Sequence, residues 1–206
     1  QTDYNYGTGL RNVGSYQAAG HPYVTGSTLA TNEEKKISLE AAKKRRDHHR
    51  SYGSKRHWQD EEKGEYMDEY WGILGELVFR KHLSHRIIDE NIEFPPLFTK
   101  DHANTPKYDS KIGSKRIEIK SIPPDSHGKK RIRMMIKESE FHDDDYYVAI
   151  KFWNEESYSF CGYLTKEEVT NSDIVDLPHS RGYCFFLSKL RKMTSTFYKN
   201  EIEITD

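Results

Sequence analysis

Cysteine is scarce in this 206-residue chain, with only Cys161 and Cys184 present. Neither stands in a C-x-x-C pair or in a Cys/His spacing, which excludes a thiolate metal centre and a dithiol redox motif. Two reduced, partly buried thiols in an intracellular protein are expected, and a disulfide between them stays open. Long apolar runs are missing as well. No stretch is long enough to span a bilayer and no secretory signal is visible, so no membrane partner and a cytoplasmic location are expected. The chain opens on Gln1 rather than Met, so processing or trimming is expected there. An excess of one charge is absent too, since 32 Lys+Arg against 33 Asp+Glu leaves a formal net charge of -1. The field of the whole molecule therefore argues for no anionic partner, and any such argument must come from local clustering. There is no P-loop or G-x-G-x-x-G phosphate cradle, no internal repeat, and no Ser/His/Asp set placed for covalent catalysis.

What is present is charge and aromatic bulk. The chain is 32% charged and 34% hydrophobic, polar for one sizeable domain, but 14 Tyr, 9 Phe and 3 Trp supply core material. A small, aromatic-rich core under a charged surface is expected.

Residues 1–37 are rich in Gly, Ser, Thr and Tyr and lack a helical period, which reads as an arm with extended pieces. The rest, 38–206, reads as one domain. Ser38 is expected to cap a helix from Leu39 to Tyr52, closed by Gly53. Across 41–60 seven Lys/Arg face two Asp: Lys43, Lys44, Arg45, Arg46, Arg50, Lys55 and Arg56 form a compact cluster suited to nucleic-acid phosphates. A solvated helix face is the plainer alternative. A second helix is expected over Glu61–Leu83. Tyr66, Tyr70, Leu74, Leu77 and Val78 make one apolar stripe, and Ile73, Phe79 and Leu83 another side. Glu76 falls among these, in "GILGELVF", so its carboxylate is expected to be partly buried and in need of a partner. Gly72 and Gly75 thin the helix on either side of it.

Beyond Pro95-Pro96 the pattern turns to strands, expected at Lys107–Asp109, Lys115–Ile122, Arg131–Ile136, Tyr146–Trp153, Ser157–Leu164 and Tyr183–Leu187. Gly113-Ser114 makes a hairpin turn, and Thr165 caps a short helix in "TKEEV". Helices followed by a mixed sheet read as α/β or α+β. In Lys115–Ile122, Ile117 and Ile119 alternate with Glu118 and Lys120, which share the opposite strand face. By itself E-x-K is an ordinary charge pair on a half-solvated strand. Lys129, Lys130, Arg131 and Arg133 follow as a second basic stretch, either a phosphate track or the positive charge that protects an edge strand. "DHHR" and "FHDDDYY" hold metal-capable residues. His48 and His49 are helix neighbours that face apart, and His142–Asp145 reads as an acidic turn before "YYVAIKFW".

Glu76 on a helix, Asp109 nine residues before Glu118 across a hairpin, and Lys120 two further on form an order that resembles the PD-(D/E)XK nuclease superfamily over about Trp71 to Leu164. The matching pieces are "GILGELVF", "KYD" and "EIK". One departure is that Tyr108 stands where that family often has proline, with Pro106 slightly upstream. The resemblance implies a restriction-endonuclease-like core with a central mixed sheet flanked by helices. It also implies Mg²⁺ (Mn²⁺ substituting) held by Asp109, Glu118, the Ile119 carbonyl and Glu76, directly or through water. Lys120 would orient or help deprotonate the attacking water. The implied activity is hydrolysis of DNA phosphodiesters by a restriction-like or homing endonuclease. One site per chain favours a homodimer for cutting both strands, and a monomer that nicks or cuts a branched structure stays open. The run Gly9–Gly26 resembles the opening of structural proteins of tailed phages. A phage-associated protein in the host cytoplasm, with an arm that contacts a viral assembly, is the corresponding expectation. The rival reading is a DNA-binding or virion component that keeps the fold without the chemistry.

Overall fold

A computed structural model describes residues 28–51, 66–86, 92–99, 106–126, 128–177 and 180–193. Residues 1–27 of the expected arm lie outside the described residues. The remainder of that segment belongs to the fold: β1 (Thr28–Leu29) pairs with β7 (Ser157–Thr165), Thr28 opposite Tyr158, and Ala30 is buried.

The first helix, α1 (Asn32–Ser51), starts earlier than Ser38. Its cap is Thr31, whose Oγ1 accepts the Glu34 N–H at 3.1 Å while Glu34 Oε2 accepts the Thr31 N–H at 2.8 Å. This Thr-x-x-Glu exchange satisfies two otherwise orphaned donors, which makes it the stronger start signal. Ser38 lies inside the helix and donates to the Glu34 carbonyl one turn back. The second helix, α2 (Met67–Arg86), begins after the expected Glu61, and residues 61–65 are outside the described set.

The protein is mixed α+β. A curled six-stranded sheet runs β1-β7-β6-β4-β3-β2, with β2 at Ile92–Glu93, β3 at Ser110–Ile112, β4 at Lys115–Ile122 and β6 at Tyr146–Phe152. Among the described strands only the β4–β6 pair is parallel; its neighbours pair antiparallel. A three-stranded antiparallel sheet packs beside it in the order β5-β9-β8: β5 is Arg133–Lys137, β8 is Val175–Leu177 and β9 is Ser180–Phe186. The short helix α3 (Lys166–Thr170) carries the expected Thr165 cap, a full capping box with Glu168.

Two hydrophobic layers result. Trp71, Leu74, Val78, Phe79 and Leu83 of α2 pack on one face of the large sheet, against Ile117, Ile119, Val148 and Ile150. Each such side chain, fully buried, contributes roughly 1.5–3 kcal/mol. The opposite face, with Tyr147, Ala149 and Leu164, is covered by Met134, Ile136 and Tyr183 of the small sheet. The remaining apolar flank of α2, Ile73 with Leu77, rests on Ala41 and Ala42 of α1. Alternation along β4 therefore sends Ile117 and Ile119 toward α2 and Glu118 and Lys120 toward the other side. Cys161 and Cys184 are both free thiols.

Candidate active site

The β3–β4 hairpin is set by the Gly113-Ser114 turn, which pairs Ile112 with Lys115 and Ser110 with Ile117. The strand expected at Lys107–Asp109 is displaced to Ser110–Ile112, because this register buries Ser110 and Ile112. Residues 107–109 bend instead. The Asp109 N–H still donates to the Ile117 carbonyl at 3.1 Å, and its carboxylate accepts the Ile119 N–H at 2.7 Å. Asp109 thus stands at the edge of β4 where β3 pairing has ended, next to Glu118. Burial pushes its acidity well below that of a free Asp, that is, its pKa well up. Glu118 and Glu76 add to this, against the Ile119 hydrogen bond and Lys120.

On β4 the Lys120 ammonium donates to Glu118 Oε1 at 2.9 Å and lies 3.8 Å from Glu140. Burial alone would lower its pKa, but Glu118, Glu140 and Asp109 outweigh this and raise it. Lys120 is held as a cation.

Glu76 is buried and has two guanidinium partners. Arg45 Nη2 donates at 3.1 Å and Arg80 Nη2 at 3.3 Å. Burial raises the Glu76 pKa more than the two arginines lower it, and Glu118 adds to the rise. Glu76 rides on the helix covering the face opposite to Glu118 and Lys120. Even so, Glu76, Asp109 and Glu118 are near enough to repel one another, and each raises the burden of charge on its neighbours. What comes close to Gly75 is β4 itself: a Cβ there would stand 1.9 Å from Ser121 Oγ.

The basic cluster on α1 divides. Lys43 and Lys44 are exposed. Arg46 bonds Asp47 and lies over the Tyr66 ring. Arg45, expected on nucleic acid, is instead spent on Glu76, on Glu69 at 3.7 Å and on the Leu97 carbonyl at 2.7 Å. The buried Glu76 charge needs a partner, and Arg45 is within reach. The Arg50 side chain, Lys55 and Arg56 lie outside the described residues. Lys129, Lys130, Arg131 and Arg133 are all exposed. The strand expected from Arg131 starts at Arg133, since the Arg131 N–H is taken by Asp125 at 2.9 Å. Asp125 is in turn fastened to Lys151, a fully buried lysine that also donates to the Pro123 carbonyl.

Asp144 is not singled out by sequence, which marks only an acidic turn. It is fully buried, and among the described residues neither carboxylate oxygen has a hydrogen-bond donor and the nearest cation is Arg116 Nε at 3.7 Å. Burial first, then Glu118, pushes its pKa up to about 7, against Arg116 and Lys120. Parallel pairing of β6 beside β4, with Glu118 opposite Tyr147, brings the acidic turn to Glu118. The only trace in the sequence is the run of three aspartates before a strand.

The donor set suits a hard cation in part. Asp109 and Glu118 offer oxygens and a mutual repulsion that Lys120 and the Ile119 N–H offset only in part and that a cation relieves. Among the described residues no three His, Cys, Asp or Glu side chains are gathered closely enough to hold an ion unaided. That is the ordinary condition for Mg²⁺, which takes one or two carboxylates and completes its shell with water and phosphate oxygens. No family model, no curated protein and no solved structure matches this chain. Among the described residues no helix is long and apolar enough to cross a membrane.

Proposed function

We propose that this chain is a metal-dependent DNA endonuclease with a restriction-endonuclease-like core, phage-associated and acting as a homodimer on duplex DNA. The observation that carries the reading is the placement of Asp109 beside Glu118 at the open edge of β4, with Lys120 hydrogen-bonded to Glu118. Asp109, Glu118 and the Ile119 carbonyl would hold Mg²⁺, with Mn²⁺ able to substitute. The ion supplies neutralisation of the charge that builds on the phosphoryl oxygens. Lys120, held protonated by Glu118, orients the attacking water and stabilises negative charge beside the scissile phosphate; a raised pKa suits this better than proton abstraction. Glu76 serves as a positioning residue, keeping Arg80 near Asp109 and Arg45 against α2. The exposed Lys43, Lys44, Lys129 and Lys130 provide phosphate contacts.

Incubation with supercoiled duplex DNA tests the reading. Mg²⁺-dependent nicking or linearisation, blocked by EDTA and lost in Asp109→Ala and Glu118→Ala variants that still bind DNA, is expected. Cleavage near the wild-type rate in either variant would sink the assignment. The engagement of Glu76 by two arginines favours one rival, a DNA-binding component that keeps the fold without the chemistry. Binding without cleavage under any divalent cation would decide for it.

A further inference from the structure

Four large apolar side chains are exposed among the described residues: Met135 (48%), Phe186 (44%), Val175 (40%) and Ile174 (37%). All belong to, or immediately precede, a strand of the small sheet. Register explains why. Met134 and Ile136 of β5 turn inward with Phe185 and Tyr183 of β9, so the alternate cross-strand pairs turn outward. These are Arg133 with Phe186, Met135 with Cys184 and Lys137 with Gly182, and Val175 of β8 lies beside Gly182. No acid occupies these outward positions. The face carries Arg133 and Lys137, and the chain leading into it carries Lys129 and Lys130. None of Arg133, Lys129 and Lys130 has an ion pair among the described residues. The Arg133 guanidinium lies over the Phe186 ring, 4.5 Å from its centroid.

We propose that the outer face of the small sheet is a binding platform for an unpaired strand of nucleic acid. Bases stack on aromatic rings and on guanidinium planes with little regard to sequence, while flanking cations track the phosphates. Phe186 under Arg133 offers both surfaces at one point. Charge excludes a second copy of this chain as the occupant. Face-to-face copies would bury Arg133 with no acid at the outward positions to answer it, since the nearby carboxylate of Glu140 is already taken by Lys137. The platform also adjoins the candidate site: Lys137 Nζ is 2.6 Å from Glu140, whose other oxygen is 3.8 Å from Lys120. The proposal rests on the cleavage reading only for the use of the bound strand, as a substrate that is locally unpaired. Binding itself needs no carboxylate and no metal.

Fluorescence anisotropy of labelled oligo-dT and of a duplex of equal length, both in EDTA, tests it. Wild type is expected to bind oligo-dT. Phe186→Ala is expected to weaken that binding by about tenfold, the effect of removing one stacked base, and to leave duplex affinity unchanged. Phe186→Trp should restore it. Arg133→Gln should lower the salt slope for oligo-dT by about 0.7. The proposal is overturned if Phe186→Ala leaves oligo-dT affinity unchanged or weakens both ligands equally. It is also overturned if sedimentation shows a dimer that Phe186→Ala dissociates, which would make a second copy the occupant. Intact oligo-dT binding without cleavage in Mg²⁺ would count against the nuclease reading alone.

Discussion

Gly75→Ala probes the contact that sets the height of α2, and with it Glu76, above the sheet. A Cβ at position 75 would meet Ser121 Oγ at 1.9 Å, Ser121 Cβ at 3.3 Å and Ile119 Cγ2 at 3.5 Å. Two effects oppose each other. Alanine favours the helix over glycine by about 1 kcal/mol. Overpacking at a helix–sheet contact costs about 2 kcal/mol, near the middle of the usual range, since the hydroxyl can turn only within a filled core. The net is about 1 kcal/mol of destabilisation, which lowers the melting temperature by roughly 2–4 °C in a chain of this size. Ser121 decides the sign. Its Oγ is buried without a hydrogen-bond partner among the described residues, so Ser121→Ala removes the clashing atom and leaves no donor or acceptor stranded. In that background only the 3.3 Å and 3.5 Å contacts remain. The helix preference then dominates, and Gly75→Ala should stabilise by up to about 1 kcal/mol. Thermal and urea unfolding of the wild type, the two single variants and the double variant give the coupling energy, expected at about 2 kcal/mol. An equal effect of Gly75→Ala in both backgrounds would mean that α2 does not rest on β4 at Ser121. The position assigned to Glu76 would fall with it.

Asp144→Asn should stabilise the protein by about 2 kcal/mol at alkaline pH: the raised pKa makes the buried charge cost about 4 kcal/mol there, and the unpaired amide that replaces it costs about 2 kcal/mol. The folded state keeps a proton that the unfolded chain releases. Wild-type stability therefore falls as pH rises from about 4 to about 7, and the variant should flatten that slope in melts taken across the window. Single-turnover cleavage by Asp109→Ala or Glu118→Ala should drop by more than about a hundredfold, with far-UV circular dichroism unchanged. Neutralising Lys43 and Lys44 together, sparing Arg45, should reduce the salt dependence of duplex binding by roughly 0.9 for each phosphate that is no longer neutralised. An unchanged slope in that titration would turn α1 away from the nucleic acid.

Local patterning makes several features readable from the chain alone. The strand Lys115–Ile122 follows from alternation about Ile117 and Ile119, and its hairpin from Gly113-Ser114. The helix after Thr165 follows from Thr-x-x-Glu, and the same signal at Thr31 marks the true start of α1, ahead of the expected Ser38. Burial of Glu76 is legible because it sits among apolar positions of a helical period. These are interactions between residues a few positions apart, which a sequence displays directly. The partners are not legible in the same way. Arg45 is 31 residues from Glu76, and only the packing of Ala41 and Ala42 on Ile73 brings α1 within reach. Asp144 comes to Glu118 through a parallel pairing whose register no local turn defines. The height at which α2 lies over β4 is likewise set by the close approach of Gly75 to Ser121. Thus the sequence by itself determined which side chains can carry charge and which strand face they share. Only the tertiary structure decided which charges neutralise one another, because Coulomb and desolvation energies depend on distance and burial rather than on order along the chain.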